Sequence, residues 1–357
     1  MRIVCLILLI ALTLSVFSGC AKEEATSSLL IDESKDLSSV SAEETSKSEI
    51  ESEISKEETS ASSEAFEETS EEELPPIEEP KVDLLGLISD HDKTLTPYGD
   101  LKKDEYSDAL TRLDEVFKGY NKNVAFVALS LNDSKAVSYN TQELIFPASM
   151  IKAAYALYCC QQMELNNISL DTKMVYEKKH YEIGTGDMQY SPIGTEFDLR
   201  TIISKTMSIS DNVGYLMMTD YFGRDGYNQW ITELGAPSLQ IKPTVWCLKA
   251  NAKEWALVWK EIYNYFETDS EYAQFLYDCC TNTAGNFATA GLEGAKYSHK
   301  QGHQRSGDWH SYSDAGIIWK ENKNYIFVLL TDAPGPSNYE AQFFKDIMNI
   351  VDGELFS

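Results

Sequence analysis

The chain has 357 residues, with 30 Lys and Arg against 57 Asp and Glu, for a formal charge of −27. That length allows one large domain or two ordinary ones around a substantial core. The charge excludes a generic nucleic-acid binder, because phosphate contacts need a Lys/Arg surface.

The chain opens with Arg2, then an apolar stretch from Ile3 to Phe17 that is too short to span a bilayer. Phe17-Ser18-Gly19-Cys20 follows, with small residues just before a cysteine. Residues 1–20 resemble a bacterial lipoprotein signal. The resemblance implies a lipid on Cys20 and a protein held at the cell membrane, outside the cytoplasm. Two acyl chains suffice for stable anchoring. An ordinary cleaved signal peptide is the alternative.

Residues 21–97 read as a disordered acidic tether. Residues 21–80 alone hold 20 acidic and 4 basic side chains, a net of −16, which with Arg2 leaves −12 for residues 81–357. Glu-Glu-Thr-Ser recurs at 43–46, 57–60 and 67–70, at uneven spacing, which is compositional bias rather than a structural repeat. So much like charge and so little apolar surface cannot offset the entropy of ordering. About sixty such residues span roughly 45 Å as a flexible coil, and repulsion extends them further. A cation- or partner-binding acidic tail is the other reading.

A folded domain is expected over residues 98–357. Asp100 to Tyr120 has helical spacing, with Leu101, Ala109, Leu110, Leu113, Val116 and Phe117 on one face. Val124–Leu131 and Ala136–Tyr139 read as a strand pair across Asn132-Asp133-Ser134. A long helical block runs from Ser149 to about Tyr277. Strands resume at Lys296–Gln304, His310–Lys320 and Tyr325–Thr331, with a turn at Asn322-Lys323-Asn324, and Ser337–Val351 closes as a helix. The order predicts an α/β (α+β) fold: a five-stranded antiparallel sheet flanked by helices, with an inserted all-helical subdomain. Cys159, Cys160, Cys247, Cys279 and Cys280 lack any regular spacing. Buried thiols are the better reading, and a bridge between the 159/160 and 279/280 pairs stays open.

Three short motifs carry the chemistry. Ser149-Met150-Ile151-Lys152 is the only Ser-x-x-Lys, Ser210-Asp211-Asn212 the only Ser-Asp-Asn, and Lys300-Gln301-Gly302 the only Lys-x-Gly. A serine hydroxyl is a poor nucleophile without an adjacent base. Ser149 falls at a helix start, and Lys152, three residues on, lies on the same face. A desolvated lysine near a second cation has a lowered pKa and can take a proton. Lys300 on a facing strand would be that cation. Ser210 could relay a proton to a leaving group. Backbone N–H groups of Ser149 and His303 could form an oxyanion hole, and Gly302 clears room for substrate beside the strand.

The ordered trio resembles the penicillin-recognising serine hydrolases, the class A β-lactamases and related penicillin-binding proteins, over about residues 98–357. Tyr139-Asn140 and Asp314-Ala315-Gly316-Ile317 add to the likeness. It implies Ser149 as nucleophile, Lys152 as base and Ser210 as relay. Asn212, Lys300, Gln301, Gly302 and His303 would line the substrate site. The activity implied is that of a class A β-lactamase-type serine hydrolase, acting through a serine acyl-enzyme on a β-lactam or an acyl-D-Ala-D-Ala-like peptide. No cofactor, metal or nucleic acid is implied, and a monomer is expected. A DD-peptidase-like or slow penicillin-binding enzyme is the nearest alternative, and a non-catalytic cell-wall-binding lipoprotein the next.

Two departures stand out. Gln301 replaces a hydroxyl residue that helps hold the substrate carboxylate, and Arg305 is a candidate extra partner for that group. The glutamate that activates water for deacylation has no match between Gly235 and Trp255; the one carboxylate there, Glu254, reads as half of a capping box with Asn251. His299 and His303 share a strand face opposite Lys300 and, with His310, lack further ligands for zinc. Tyr181 and Tyr190-Ser191 fall where cleft walls are expected. No Gly-rich phosphate loop is present.

Overall fold

The computed structural model describes residues 83–357 apart from 290, 291, 306, 308 and 322. The expected signal segment, Cys20 and the tether up to residue 82 lie outside the described residues, as does Asn322 of the expected turn.

In chain order the elements are α1 (Leu84–Leu87), β1 (Leu95–Gly99), α2 (Ser107–Gly119), β2 (Val124–Ser130), β3 (Lys135–Tyr139), α3 (Ile151–Asn166), β4 (Lys173–Val175), β5 (Glu196–Asp198), α4 (Leu199–Ser208), α5 (Asn212–Phe222), α6 (Arg224–Glu233), α7 (Ala252–Phe266), α8 (Glu271–Thr281), β6 (Lys296–Gln304), β7 (Ser311–Trp319), β8 (Tyr325–Thr331) and α9 (Asn338–Ile350). The main sheet runs β1-β3-β2-β8-β7-β6, antiparallel throughout. All five expected strands are in it, with β1 as a sixth on one edge. β6 forms the other edge. β4 and β5 make a separate small ribbon within the helical block.

The tether boundary at residue 97 is corrected here. Asp83 caps α1 by accepting from Gly86 N–H, and Leu84, Leu85 and Ile88 are buried. His91 N–H donates to Thr141 Oγ1, which in turn donates to Ser89 O. Leu95 to Gly99 pair with Tyr139 to Lys135. The folded unit therefore reaches back to Asp83. Its short apolar run borders the acidic stretch, and only remote partners give it a place to be buried.

β2 is buried along its whole length, on both faces. Ala125, Val127 and Leu129 face the helical block, where Met150, Ala153, Trp255 and Trp259 pack. Val124, Phe126 and Ala128 face the opposite layer, with Leu113 and Phe117 of α2 and Phe344 and Ile347 of α9. Period-two alternation thus feeds two cores from one strand. α3 is buried on every side from Ile151 to Cys160, which makes it the central helix of its block. Among the described residues, Cys159, Cys160, Cys247, Cys279 and Cys280 are buried free thiols, so the 159/160 and 279/280 pairs are unbridged.

Candidate active site

The site forms where the start of α3, the turn before α5 and β6 meet. Ser149 is the middle residue of a tight 3₁₀ turn, Ala148–Met150, that leads into α3. Ala148 before it takes φ +49°, a left-handed conformation costly for a side-chain residue. Lys152, in the first turn of α3, is fully buried. Its Nζ lies 3.2 Å from Ser149 Oγ, 2.6 Å from Ser210 O, 3.2 Å from Ser210 Oγ and 2.8 Å from Asn212 Oδ1. Burial pushes the Lys152 pKa well down, and the nearby Lys300 charge pushes it further. A neutral amine beside a hydroxyl can accept its proton.

Ser210 also takes a left-handed conformation, φ +59°. Asp211 holds it there. Buried Asp211 caps α5 through Gly214 N–H (2.9 Å) and also accepts from Met188 N–H (2.9 Å). The turn thereby aims both the Ser210 carbonyl and hydroxyl at Lys152.

Lys300 on β6 closes the third side. Its Nζ is 3.3 Å from Ser210 Oγ, 3.0 Å from Gln301 O and 3.4 Å from Gln301 Oε1. Burial holds its pKa down at about 7, against an upward pull from Asp314. Gly302 is a steric necessity: a Cβ there would lie 1.9 Å from Pro147 O. Ser149 and the open edge of β6 are adjacent because of it. The carbonyls of His299 and Gln301 accept from Thr283 Oγ1 and Lys300 Nζ, so odd-numbered residues of β6 point away from β7. The same alternation turns His303 N–H toward the open edge.

The His303 ring lies elsewhere, edge-on to Phe287 and Tyr312 at 6.4 and 6.1 Å. Arg305 is exposed beyond the end of β6 and makes no hydrogen bond or ion pair with another described residue. His299 is buried behind Lys300, with Nδ1 3.0 Å from Asp314 Oδ1, and Asp314 Oδ2 accepts from Phe287 and Ala288 N–H at 3.2 Å each. Tyr181 and Tyr190 are exposed, and among the described residues no group of three His, Cys, Asp or Glu could hold a metal.

Sequence reading missed two residues that touch this cluster. Thr185 Oγ1 donates to Ser210 O at 2.6 Å and lies 3.2 Å from Asn212 Oδ1. Its flanking glycines were the legible signal. A Cβ on Gly184 would lie 2.5 Å from Asn212 Nδ2, and one on Gly186 would lie 2.0 Å from Asp211 Oδ2. The other is Cys247, whose Sγ donates to Ala148 O at 3.5 Å. Glu254 is turned away. It accepts from Ser238 N–H (2.7 Å), Ser238 Oγ (2.6 Å) and Asn251 Nδ2 (3.0 Å), while Asn251 Oδ1 accepts from Glu254 N–H (2.9 Å). Its cap is real, but the reciprocal bonds go to side chains and Ser238 rather than to the Asn251 backbone. Beside Cys247, the residues Phe146, Val245, Trp246, Gln304 and Trp309 line an apolar groove of about 540 Å³.

An antiparallel sheet between helices, with a serine and two buried lysines at its edge, defines a class of fold and site. Residues 108–352 match the beta-lactamase enzyme family, and the chain belongs to that family. No curated protein matches the sequence. Among solved structures, a variant of PBP-A described as an acyl-enzyme complex with penicillin G is 17% identical, with a TM-score of 0.62 over 68% of this chain and 94% of that one. TLA-1, an extended-spectrum β-lactamase, is 19% identical, with a TM-score of 0.62 over 70% of this chain and 99% of that one. A β-lactamase from Chitinophaga pinensis is 20% identical, with a TM-score of 0.61 over 68% of this chain and 98% of that one. At these identities the likeness is one of fold.

Proposed function

We propose that the protein is a serine acyl-transfer hydrolase acting on β-lactams or acyl-D-Ala-D-Ala-like peptides, and that its acyl-enzyme is released slowly. The observation that carries this is the contact between buried Lys152 and Ser149 Oγ. Lys152 takes the Ser149 proton as Oγ attacks the carbonyl carbon. The N–H groups of Ser149 and His303 hold the resulting oxyanion. On collapse, Ser210 passes a proton to the departing nitrogen, drawing on the Lys152 ammonium at 3.2 Å. Asn212 and Lys300 orient these groups. Slow release follows from the loop over residues 235–251. It brings a thiol, not a carboxylate, to the serine turn. Burial pushes Cys247 up to about 12, so it stays protonated at neutral pH and is no base for water.

The segments outside the described residues complete the proposal. Residues 1–20 would direct export and leave a lipid on Cys20, and the acidic stretch would hold the enzyme off the membrane. If Cys20→Ala leaves the processed protein membrane-bound, the anchor is wrong.

The enzymatic reading is tested with residues 81–357 and a reporter penicillin, following intact mass and ring opening. A long-lived adduct, lost in Ser149→Ala, is the expected result. Rapid turnover would make the protein a β-lactamase proper. Neither adduct nor turnover would leave a non-catalytic binder of cell-wall material that keeps the fold.

A further inference from the structure

The subsite beside Lys300 is already full of hydrogen bonds. The Lys300 ammonium has three N–H bonds and faces three acceptors: Ser210 Oγ, Gln301 O and Gln301 Oε1. The far end of the Gln301 side chain is also tied, because Nε2 donates to Ala284 O. That carbonyl is fixed in turn. Ala284 N–H donates to Ser208 O at 2.7 Å, and Thr283 Oγ1 donates to His299 O at 3.0 Å. Gly285, at φ +83°, passes so close that a Cβ there would sit 2.8 Å from Gln301 Nε2.

This clamp decides which way the amide faces. Its oxygen is turned to Lys300 and its nitrogen to Ala284. One N–H of Nε2 and one lone pair of Oε1 are left over, on a side chain that is only half-buried. A donor and an acceptor side by side complement another amide. They oppose a carboxylate, whose two oxygens both need donors. Lys300 has no donor to spare, and Oε1 would repel the anion. A hydroxyl at position 301 could rotate to donate, whereas a clamped amide cannot. Lys300 also carries only part of its charge at neutral pH, with its pKa held near 7 by burial.

We propose that Gln301 makes this subsite selective for an uncharged carboxamide over a free carboxylate. The preferred substrate is then an acyl peptide whose leaving residue is amidated or continues into a further peptide bond. The proposal rests on acylation of Ser149 and names the substrate class for that same site.

The test uses the intact chain and two matched peptides, acyl-D-Ala-D-Ala and its C-terminal carboxamide, with release of D-Ala or D-alaninamide measured at pH 7. The carboxamide is expected to react at least tenfold faster. Gln301→Thr, which restores a rotatable hydroxyl, is expected to shift the ratio at least tenfold toward the carboxylate. Gln301→Glu, of the same length, is expected to lose the carboxamide advantage without gaining the other. The wild-type ratio needs no variant, and melting curves show whether each variant is folded. A wild-type preference for the carboxylate, or a ratio unmoved in folded Gln301→Thr, overturns the proposal. If neither peptide reacts while a reporter penicillin still labels Ser149, the substrate assignment alone falls. If no acyl donor, an uncharged reactive ester included, labels Ser149, the acylation reading falls with it.

Discussion

Lys152 and Lys300 are both fully buried, and that placement is expensive. Lys300 is held near 7 in the fold, against 10.5 when free. Between those values the unfolded chain binds more protons, so stability rises with pH across that window. The penalty is complete below about pH 7 and fades toward 10.5. Lys300→Met keeps the length and drops the charge. It is expected to raise the melting temperature at pH 7 by several degrees, less so as pH climbs, while acylation falls roughly 10²-fold. A melting temperature that drops at pH 7 would contradict the account. Cys247 gives a second residue-scale test. Cys247→Ser keeps a donor for Ala148 O, so the lifetime of the acyl-enzyme is expected to stay within twofold; a clearly longer lifetime would mean the thiol does activate water. Ser149, Lys152, Ser210, Asn212, Lys300 and Gly302 were legible because each belongs to a short local motif. Thr185 and Cys247 belong to no such motif: each reaches the cluster from a loop 25 or more residues away in sequence, and only the glycines on either side of Thr185 mark its place. Arg305 was put forward because its guanidinium fork suits a carboxylate; it is exposed just past the end of β6, with no contact to the cluster.

At the scale of elements, the turn before α5 depends on a loop that no periodicity reveals. Gly186 takes φ +97°, and a Cβ there would drive into Asp211, the residue that caps α5 and fixes Ser210. Gly194 nearby has almost the same φ, +96°, with nothing within 4 Å of its would-be Cβ. The pair separates backbone strain from collision. Gly194→Ala is expected to cost about 1 kcal/mol and leave acylation unchanged. Gly186→Ala is expected to cost more than about 2 kcal/mol and to slow acylation at least tenfold, because Ser210 shifts with its cap. Denaturant melts and adduct kinetics on both variants decide it, and equal effects would show that only strain matters. Most elements could be read in advance, because β2, β7 and β8 are long, apolar and bounded by turn residues. The helix expected over 100–120 begins instead as two 3₁₀ turns, and α2 proper starts at Ser107. The ribbon of β4 and β5 was absorbed into a helical block, since three-residue strands leave no period to detect.

The whole molecule divides its charge from its fold, and the division lies further upstream than charge alone suggests. Residues 21–80 hold a net of −16, yet burial begins at Leu84. Leu84, Leu85 and Ile88 join the core on the helical-block side, and α1 packs against α7. Each such side chain contributes about 1.5–3 kcal/mol on burial. Three together rival the entire stability of an ordinary domain, about 5–15 kcal/mol. β1 adds a second debt, because without it β3 becomes a bare sheet edge with unpaired backbone groups. A chain starting at residue 81 is therefore expected to melt within a degree or two of one that keeps the acidic stretch, and to acylate at the same rate. A chain starting at residue 98 is expected to melt more than 10 °C lower or to aggregate on expression. That pair of outcomes would show that folding does not need the acidic stretch. If the chain starting at residue 98 were as stable as the longer one, α1 and β1 would be ornaments on the fold, and the boundary drawn from charge would be right after all.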